Sequence, residues 1–153
     1  MNRAESRLIL LSEDSDDDVV FIREAIRKAG IVNPTYRVRD GEAVIRYLSG
    51  EGVYADREIH PFPFLILLDL KLPRTNGFEA LAWIRQQPIL KRIIVIILSG
   101  SFLPEELVHA YDLGANSFLA KPTELNHLVE LMEDVKKYWL YRNRHALYES
   151  SLY

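Results

Sequence analysis

The fold of this chain is decided by the stretch Phe64-Leu65-Ile66-Leu67-Leu68-Asp69, in which five apolar residues are followed by a carboxylate. The apolar residues do not alternate with polar ones, so the pattern predicts a strand that is covered on both faces. Two further runs of this kind, Leu8 to Leu11 and Ile93 to Leu98, lie before and after it. Such strands are typical of parallel sheets, because crossover helices then cover both faces.

Weaker patterns on either side of these runs complete the expected order of elements. Thr35 to Arg39 and Asn116 to Ala120 are shorter or more polar, as edge strands tend to be. Apolar residues at helical spacing fill the gaps, and the last helix is expected from near Thr123 to about His145. The alternation of strand and helix, five times over, predicts an α/β domain with a five-stranded parallel sheet and helices on both faces.

The composition narrows the class of protein further. Of the 153 residues, 48% are hydrophobic, which is enough for one packed core. The net charge of -3 argues against a protein that mainly holds nucleic acid. Cysteine is absent, which excludes disulfides and thiolate zinc sites. We find no signal peptide and no apolar run near the roughly 20 residues of a membrane span, so we expect a cytoplasmic protein without membrane contacts.

Polar residues follow the predicted strands at the point where each one ends. Glu13 and Asp14 come after the first strand, Asp69 after the third, Ser99 after the fourth and Lys121 after the fifth. The carboxyl ends of parallel strands share one edge of the sheet, so these side chains should converge there. Clustered carboxylates without Cys or His favour Mg²⁺, while a hydroxyl and an ammonium can bind phosphate oxygens. The set suits the placing of a phosphoryl group on a carboxylate.

The sequence resembles the receiver domain of two-component response regulators, the CheY-like superfamily. The resemblance rests on Glu13-Asp14, on Asp69-Leu70-Lys71-Leu72-Pro73 with Gly77, on Ser99-Gly100 and on Lys121-Pro122. It implies a flavodoxin-like three-layer sandwich with strand order 2-1-3-4-5 and, in this chain, an extended C-terminal helix. The implied organisation is a tail over residues 1–6, a receiver domain over 7–138 and a helical, aromatic extension over 139–153.

The resemblance also implies a role for each carboxylate. Asp69 corresponds to the phosphoacceptor. Asp14 corresponds to a direct Mg²⁺ ligand, and Glu13 to one that often acts through a metal-bound water. The backbone carbonyl of Lys71 corresponds to the remaining protein ligand, with Asp69 itself also on the metal.

Three further residues are implied to respond to the phosphoryl group. Ser99 corresponds to the switch hydroxyl that turns toward it, and Lys121 to the lysine that pairs with it. Phe118 stands at the aromatic switch position, where the lack of a hydroxyl leaves packing alone to drive an inward rotation. The Lys121–Pro122 bond of such domains is typically cis.

The function that this resemblance implies is that of a stand-alone response regulator. It would accept a phosphoryl group from a sensor histidine kinase or phosphotransfer protein and signal through protein contacts, catalysing at most its own phosphorylation and dephosphorylation. After His145 only eight residues remain, so no output domain is expected. Similar regulators with a bulky loop before the phosphoacceptor strand and an aromatic extension are partners of bacterial phytochrome kinases.

Two other functions stay open at this point. A phosphatase with an aspartyl-phosphate intermediate typically needs a second Asp two residues after the nucleophile, where this chain has Lys71. A flavin-binding domain of similar topology would have a phosphate loop rich in Gly, Ser and Thr after the first strand, where this chain has acids. The run Asp16-Asp17-Asp18 has a simpler interpretation as the first turn of a helix, where negative charge complements the dipole.

The last predicted helix carries two patterns. Leu125, Leu128, Met132, Val135 and Trp139 lie at helical spacing, which is typical of a core face. Tyr138-Trp139-Leu140-Tyr141 adds an aromatic cluster near its far end. Either these aromatics fold back onto their own domain, or they form an association surface for a homodimer.

Overall fold

The structure, a computed structural model, describes residues 6–101 and 103–146. One sheet in this part contains five strands: β1 (Ile9–Ser12), β2 (Thr35–Val38), β3 (Leu65–Leu68), β4 (Ile94–Ser99) and β5 (Ser117–Ala120). All neighbouring strands are parallel, and their order is β2-β1-β3-β4-β5. The predicted fold class and the strand order implied by the resemblance are confirmed.

Helices cover both faces of the sheet. The helices are α1 (Asp16–Lys28), α2 (Gly41–Ser49), α3 (Gly77–Gln86), α4 (Pro104–Asp112) and α5 (Leu125–Val135). Within β1, Leu10 faces one apolar cluster with α2 and α3, whereas Ile9 and Leu11 face a second cluster with α1 and α5. This division explains why the strand sequences are continuously apolar: each face of the sheet is buried against helices.

The stretch between α2 and β3 is an insertion that packs against the sheet edge. Arg57 from this insertion donates hydrogen bonds of 2.7 and 2.9 Å to the carbonyl oxygens of Tyr47 and Leu48, at the end of α2. Tyr54 and Tyr36, which lies on the edge strand β2, stack edge to face with their ring centroids 6.2 Å apart. The insertion is therefore ordered by aromatic and guanidinium contacts, although its sequence is mostly polar.

The C-terminal helix changes its geometry after Val135. Residues Lys136–Arg142 form a π-helix, and the helix ends at Arg142 rather than near His145 as predicted. In an α-helix the inner face would continue from Val135 to Trp139, four residues on. The wider π turn moves the buried position to Leu140, which is 4% exposed, and leaves Trp139 half-buried.

The extension beyond this helix returns to its own domain. His145 is buried and its ring lies 3.7 Å, centroid to centroid, from that of Phe64, the residue before β3. Its Nε2 lies 2.7 Å from the carbonyl oxygen of Trp139, so Nε2 is the donor of this hydrogen bond. Within the predicted cluster, Leu140 is buried and Trp139 packs against the core, as the fold-back interpretation expects, while Tyr138 and Tyr141 stay exposed. The rest of the predicted extension lies outside the described residues.

We find no membrane-spanning candidate among the helices of residues 6–101 and 103–146, since none is both long enough and apolar enough.

The π turn predicts that Leu140 contributes to the core of the domain. Leu140→Ala should lower the free energy of unfolding in urea by about 2–4 kcal/mol, because it removes a fully packed side chain. The exposed neighbour Lys137→Ala serves as the control and should change it by no more than about 0.5 kcal/mol. Equal stability of the two variants would contradict the π turn, because Leu140 would then face solvent, as it would in a regular α-helix.

Candidate functional site

The carboxylates at the strand ends form one cluster. Asp69 follows β3 directly, and its N–H donates a 3.1 Å hydrogen bond to the carbonyl oxygen of Ser12 at the end of β1. Glu13 therefore emerges beside Asp69, and one carboxylate oxygen from each of Glu13, Asp14 and Asp69 lies within 4.8 Å of the other two. Glu13 and Asp69 are buried, whereas Asp14 is exposed. The three acids that the sequence singles out are thus brought together at the edge of the sheet.

Lys121 places one ammonium group against this cluster. Its Nζ lies 2.8 Å from Glu13 Oε2, 3.1 Å from Asp18 Oδ2 and 3.7 Å from Asp69 Oδ2. The backbone fixes its position, since Lys121 N–H donates a 2.8 Å hydrogen bond to the carbonyl oxygen of Ser99. Burial lowers the pKa of Lys121, but the hydrogen bond to Glu13 and the charge of Asp69 outweigh burial and raise it. The side chain is therefore a permanent cation.

The pKa of Glu13 is governed first by burial and then by its charged neighbours. Burial raises the pKa of this carboxyl, the hydrogen bond from Lys121 lowers it, and the charge of Asp69 raises it again, with a net rise. The native state thus holds the Glu13 proton more tightly than the unfolded chain does. It follows that the contribution of Glu13 to stability falls as the pH rises through this raised pKa.

The loop after β3 is shaped around Asp69. Lys71 N–H donates a 3.1 Å hydrogen bond to Asp69 Oδ1, and the Lys71 side chain is exposed. Gly77 N–H bonds the carbonyl oxygen of Leu70 at 3.0 Å, which closes the loop onto α3. A Cβ at Gly77 would collide with the carbonyl oxygen of Asp69 and lie 2.7 Å from Leu70 Cα. Only glycine lets α3 start this close to the backbone of Asp69 and Leu70.

Ser99 and Phe118, the two residues expected to respond to a phosphoryl group, lie on neighbouring strands. Ser99 is buried at the end of β4, and its Oγ accepts a 3.2 Å hydrogen bond from Ser101 N–H. Phe118 is half-buried on β5, and its N–H donates a 3.1 Å hydrogen bond to the hydroxyl oxygen of Tyr111 on α4.

The Lys121–Pro122 peptide bond is trans, so the cis geometry that the resemblance implies is wrong for this structure. The trans preference of an X–Pro bond is only about 0.5–1 kcal/mol, so a Lys-Pro sequence does not fix its isomer.

Two residues at the site were not assigned a role by the sequence analysis. Arg37 on β2 donates through Nε to the Glu13 carbonyl oxygen at 2.8 Å and through Nη1 to Asp16 Oδ1 at 2.7 Å. It ties the loop that carries the acids to the neighbouring strand. Asp18 lies in the first turn of α1, as predicted, and Ser15 caps this helix by accepting from Asp18 N–H. The side chain of Asp18, however, reaches Lys121. No sequence signal separates Arg37 from the other polar residues of this edge strand.

Comparison with models of protein families matches residues 9–133 to the response regulator receiver domain. The chain belongs to this family. Rcp1, a response regulator of Synechocystis sp., is 37% identical over 134 residues, which are 88% of this chain and 89% of Rcp1. These findings support the response-regulator interpretation over the phosphatase and flavin-binding alternatives.

Solved structures agree in fold over nearly the whole chain. Phosphorylated RcpA, a cyanobacterial phytochrome response regulator, matches with a TM-score of 0.84 and 36% identity, covering 92% of this chain and 99% of RcpA. The Mn²⁺-bound form of response regulator Rcp1 matches with a TM-score of 0.80 and 36% identity, covering 91% of this chain and 98% of Rcp1.

The repulsion between Glu13 and Asp69 predicts that Asp69 lowers the stability of the protein when no metal ion is bound. Asp69→Asn should raise the free energy of unfolding in metal-free buffer by about 1 kcal/mol, because it removes one of two buried like charges. An added divalent cation should stabilise the wild type and have less effect on Asp69→Asn, since the variant has one carboxylate fewer in the cluster. Urea denaturation with EDTA or with Mg²⁺ measures both.

Asp17→Asn is the matched control, because it removes the same charge from an exposed position on α1 outside the carboxylate cluster. If Asp69→Asn were no more stable than Asp17→Asn in metal-free buffer, this result would contradict the repulsion between the buried carboxylates of Glu13 and Asp69.

Proposed function

We propose that Asp69 accepts a phosphoryl group and that a Mg²⁺ ion held by Glu13, Asp14, Asp69 and the backbone carbonyl of Lys71 assists the transfer. The observation that carries this proposal is the cluster itself: three carboxylates lie within 4.8 Å of one another, beside one buried ammonium. This arrangement places more negative than positive charge at the sheet edge, which calls for a bound cation.

The donor set fits a hard divalent ion. It consists of carboxylate oxygens, with no Cys or His in the cluster, and Mg²⁺ prefers such ligands together with waters and phosphate oxygens. The Mn²⁺-bound form of Rcp1 supports a divalent ion, because Mn²⁺ accepts the same oxygen ligands. When bound, the ion neutralises the acids so that an anionic phosphodonor can approach.

Each side chain of the site has its own proposed part in phosphoryl transfer. Asp69 Oδ2 faces Lys121, whereas Oδ1 accepts the Lys71 N–H bond, so the two oxygens have different surroundings. In the transfer a carboxylate oxygen of Asp69 forms a bond to phosphorus, the bond from phosphorus to the donor histidine nitrogen breaks, and that nitrogen keeps the electron pair and takes up a proton. The Lys121 ammonium and the Ser99 hydroxyl then bind phosphoryl oxygens.

The direct test is the mass of the protein after incubation with acetyl phosphate and Mg²⁺. We expect wild type to gain the mass of one phosphoryl group, and Asp69→Asn or wild type in EDTA to gain none. Asp56→Asn, which removes a carboxylate of the α2–β3 insertion, should label like wild type. Equal labelling of wild type and Asp69→Asn in Mg²⁺ would overturn the assignment of Asp69.

The natural donor is proposed to be a cytoplasmic sensor histidine kinase of the phytochrome class, or its phosphotransfer protein. Membership of the receiver family supports a histidine kinase. The phytochrome class is supported by the likeness to RcpA, a cyanobacterial phytochrome response regulator, over 92% of this chain. Output then passes through protein contacts, with Phe118 turning inward by packing once Ser99 and Lys121 engage the phosphoryl group.

A second copy of this chain is the proposed partner for the C-terminal surface. Tyr138 is 54% and Tyr141 43% exposed, although the neighbouring Leu140 is buried. Tyr138 also borders a cleft of about 170 Å³ with Leu119, Leu131 and Trp139. Exposed aromatic rings beside an apolar cleft are typical of association surfaces, and a twofold pair of such surfaces can seat each chain's tyrosines on the other.

Sedimentation tests the homodimer. Tyr138→Ala combined with Tyr141→Ala should raise the dissociation constant by about tenfold or more, because it removes the exposed aromatic anchors. The control pair Val53→Ala and Ile59→Ala removes two apolar side chains of the α2–β3 insertion that are even more exposed, and it should leave the dissociation constant unchanged. A wild-type chain that stays monomeric at high concentration, with and without phosphorylation, would contradict the dimer.

A further inference from the structure

Among residues 6–101 and 103–146, Asp18 is the one acid that contacts Lys121 from outside the carboxylate cluster. Its Oδ2 accepts a 3.1 Å hydrogen bond from Lys121 Nζ, while the nearest Asp69 oxygen lies 3.7 Å from the same nitrogen. The second hydrogen bond of Nζ goes to Glu13 Oε2 at 2.8 Å. Lys121 is thus hydrogen-bonded to two acids of the β1–α1 region and is out of hydrogen-bond range of Asp69.

Engagement of a phosphoryl group on Asp69 requires this arrangement to change. Two of the three ammonium donors are used by Glu13 and Asp18, and Nζ lies 3.7 Å from the nearest Asp69 oxygen. Movement of Nζ toward a phosphoryl group on Asp69 lengthens its bonds to these two acids. Glu13 is 2% and Asp18 45% exposed, so the two acids differ in the cost of losing the lysine. Water can solvate Asp18 when its partner leaves, whereas the buried Glu13 would lose the shorter of its two hydrogen bonds and keep only the one from Ser15 N–H. Asp18 is therefore the acid that yields Lys121.

We propose that Asp18 is a positioning residue that holds Lys121 out of hydrogen-bond range of Asp69 before phosphorylation and releases it during transfer, so that Asp18 slows the acceptance of a phosphoryl group. This proposal rests on the phosphorylation of Asp69 proposed above. It gives the third acid of the Asp16-Asp17-Asp18 run a role beyond its place in the first turn of α1.

The geometry predicts the direction of the effect. The Asp18–Lys121 ion pair stabilises the unphosphorylated state and is lost when Lys121 moves to the phosphoryl oxygens. Removing the Asp18 carboxylate therefore raises the free energy of the unphosphorylated state. The free energy of the state in which Lys121 binds the phosphoryl oxygens stays nearly unchanged. Because an ion pair with one exposed member is weak, the maximal phosphorylation rate should rise by about two- to five-fold.

The experiment compares Asp18→Ala with Asp17→Ala during phosphorylation by acetyl phosphate in Mg²⁺. Both variants remove one acid from the first turn of α1, so they share the loss of charge and of dipole complementarity. The readouts are the maximal rate, the donor concentration that gives half of it, and both values at low and high salt. General charge repulsion of the donor acts on the half-saturating concentration and weakens with salt. Release of Lys121 acts on the maximal rate and persists in salt.

A double-mutant cycle isolates the ion pair. In a Lys121→Ala background, Asp18→Ala should have no effect on the residual rate, because the partner is already gone. Calorimetric titration with Mg²⁺ should give the same affinity for wild type and Asp18→Ala, since Asp18 is not one of the three clustered ligands. Asp18→Asn should show an intermediate rate, because the amide oxygen still accepts a hydrogen bond without charge.

The outcomes separate this proposal from the proposed function. If wild type labels on Asp69 and only Asp18→Ala raises the maximal rate, the positioning role is supported. If wild type labels but Asp18→Ala matches wild type or Asp17→Ala, or if the effect survives in Lys121→Ala, the positioning role is overturned and the phosphoacceptor role stands. If wild type does not label on Asp69 at all, both are overturned.

Discussion

The rest of the structure depends on the burial of two like charges at the ends of neighbouring strands. Ser12 of β1 pairs with Leu68 of β3, so the residues that follow, Glu13 and Asp69, must emerge side by side. Burial, and after it the charge of Asp69, raises the pKa of Glu13, against the hydrogen bond from Lys121, which lowers it. One buried ammonium, that of Lys121, offsets only part of the negative charge. A site of this kind is poised to take up a cation and an anionic group together.

The strands, loops and helices around Glu13 and Asp69 hold this pair in place. Continuously apolar strands, buried between helices on both faces, fix the positions from which the acids project. Gly77 lets α3 start against the carbonyl of Asp69, and Arg37 anchors the carbonyl of Glu13 from the neighbouring strand. At the opposite, amino-terminal end of β3, His145 lies on Phe64 and closes the extension over the domain. This contact therefore lies at the end of β3 opposite to the carboxylate cluster.

Much of this could be predicted from the sequence, because the signals are local. Apolar runs such as Phe64 to Leu68 predicted the strands, and the acids that follow them predicted the cluster. The strand order came from the family resemblance alone. The π turn could not be predicted, since Trp139 and Leu140 are both apolar and either could face the core. The ion pair of Lys121 with Asp18 joins residues 103 positions apart, so it depends on tertiary placement that no spacing rule supplies.

The central claim is that this cluster holds a metal ion and a phosphoryl group on Asp69. A crystal structure of the protein with Mg²⁺ and beryllium fluoride, a phosphoryl mimic, tests it most directly. We predict the fluoride complex on an Asp69 oxygen, the metal bound by Asp14, Asp69 and the Lys71 carbonyl with Glu13 beside it, and Lys121 turned from Asp18 to a fluorine atom. A complex bound at another carboxylate, or a metal that leaves Asp69 free, would contradict the account.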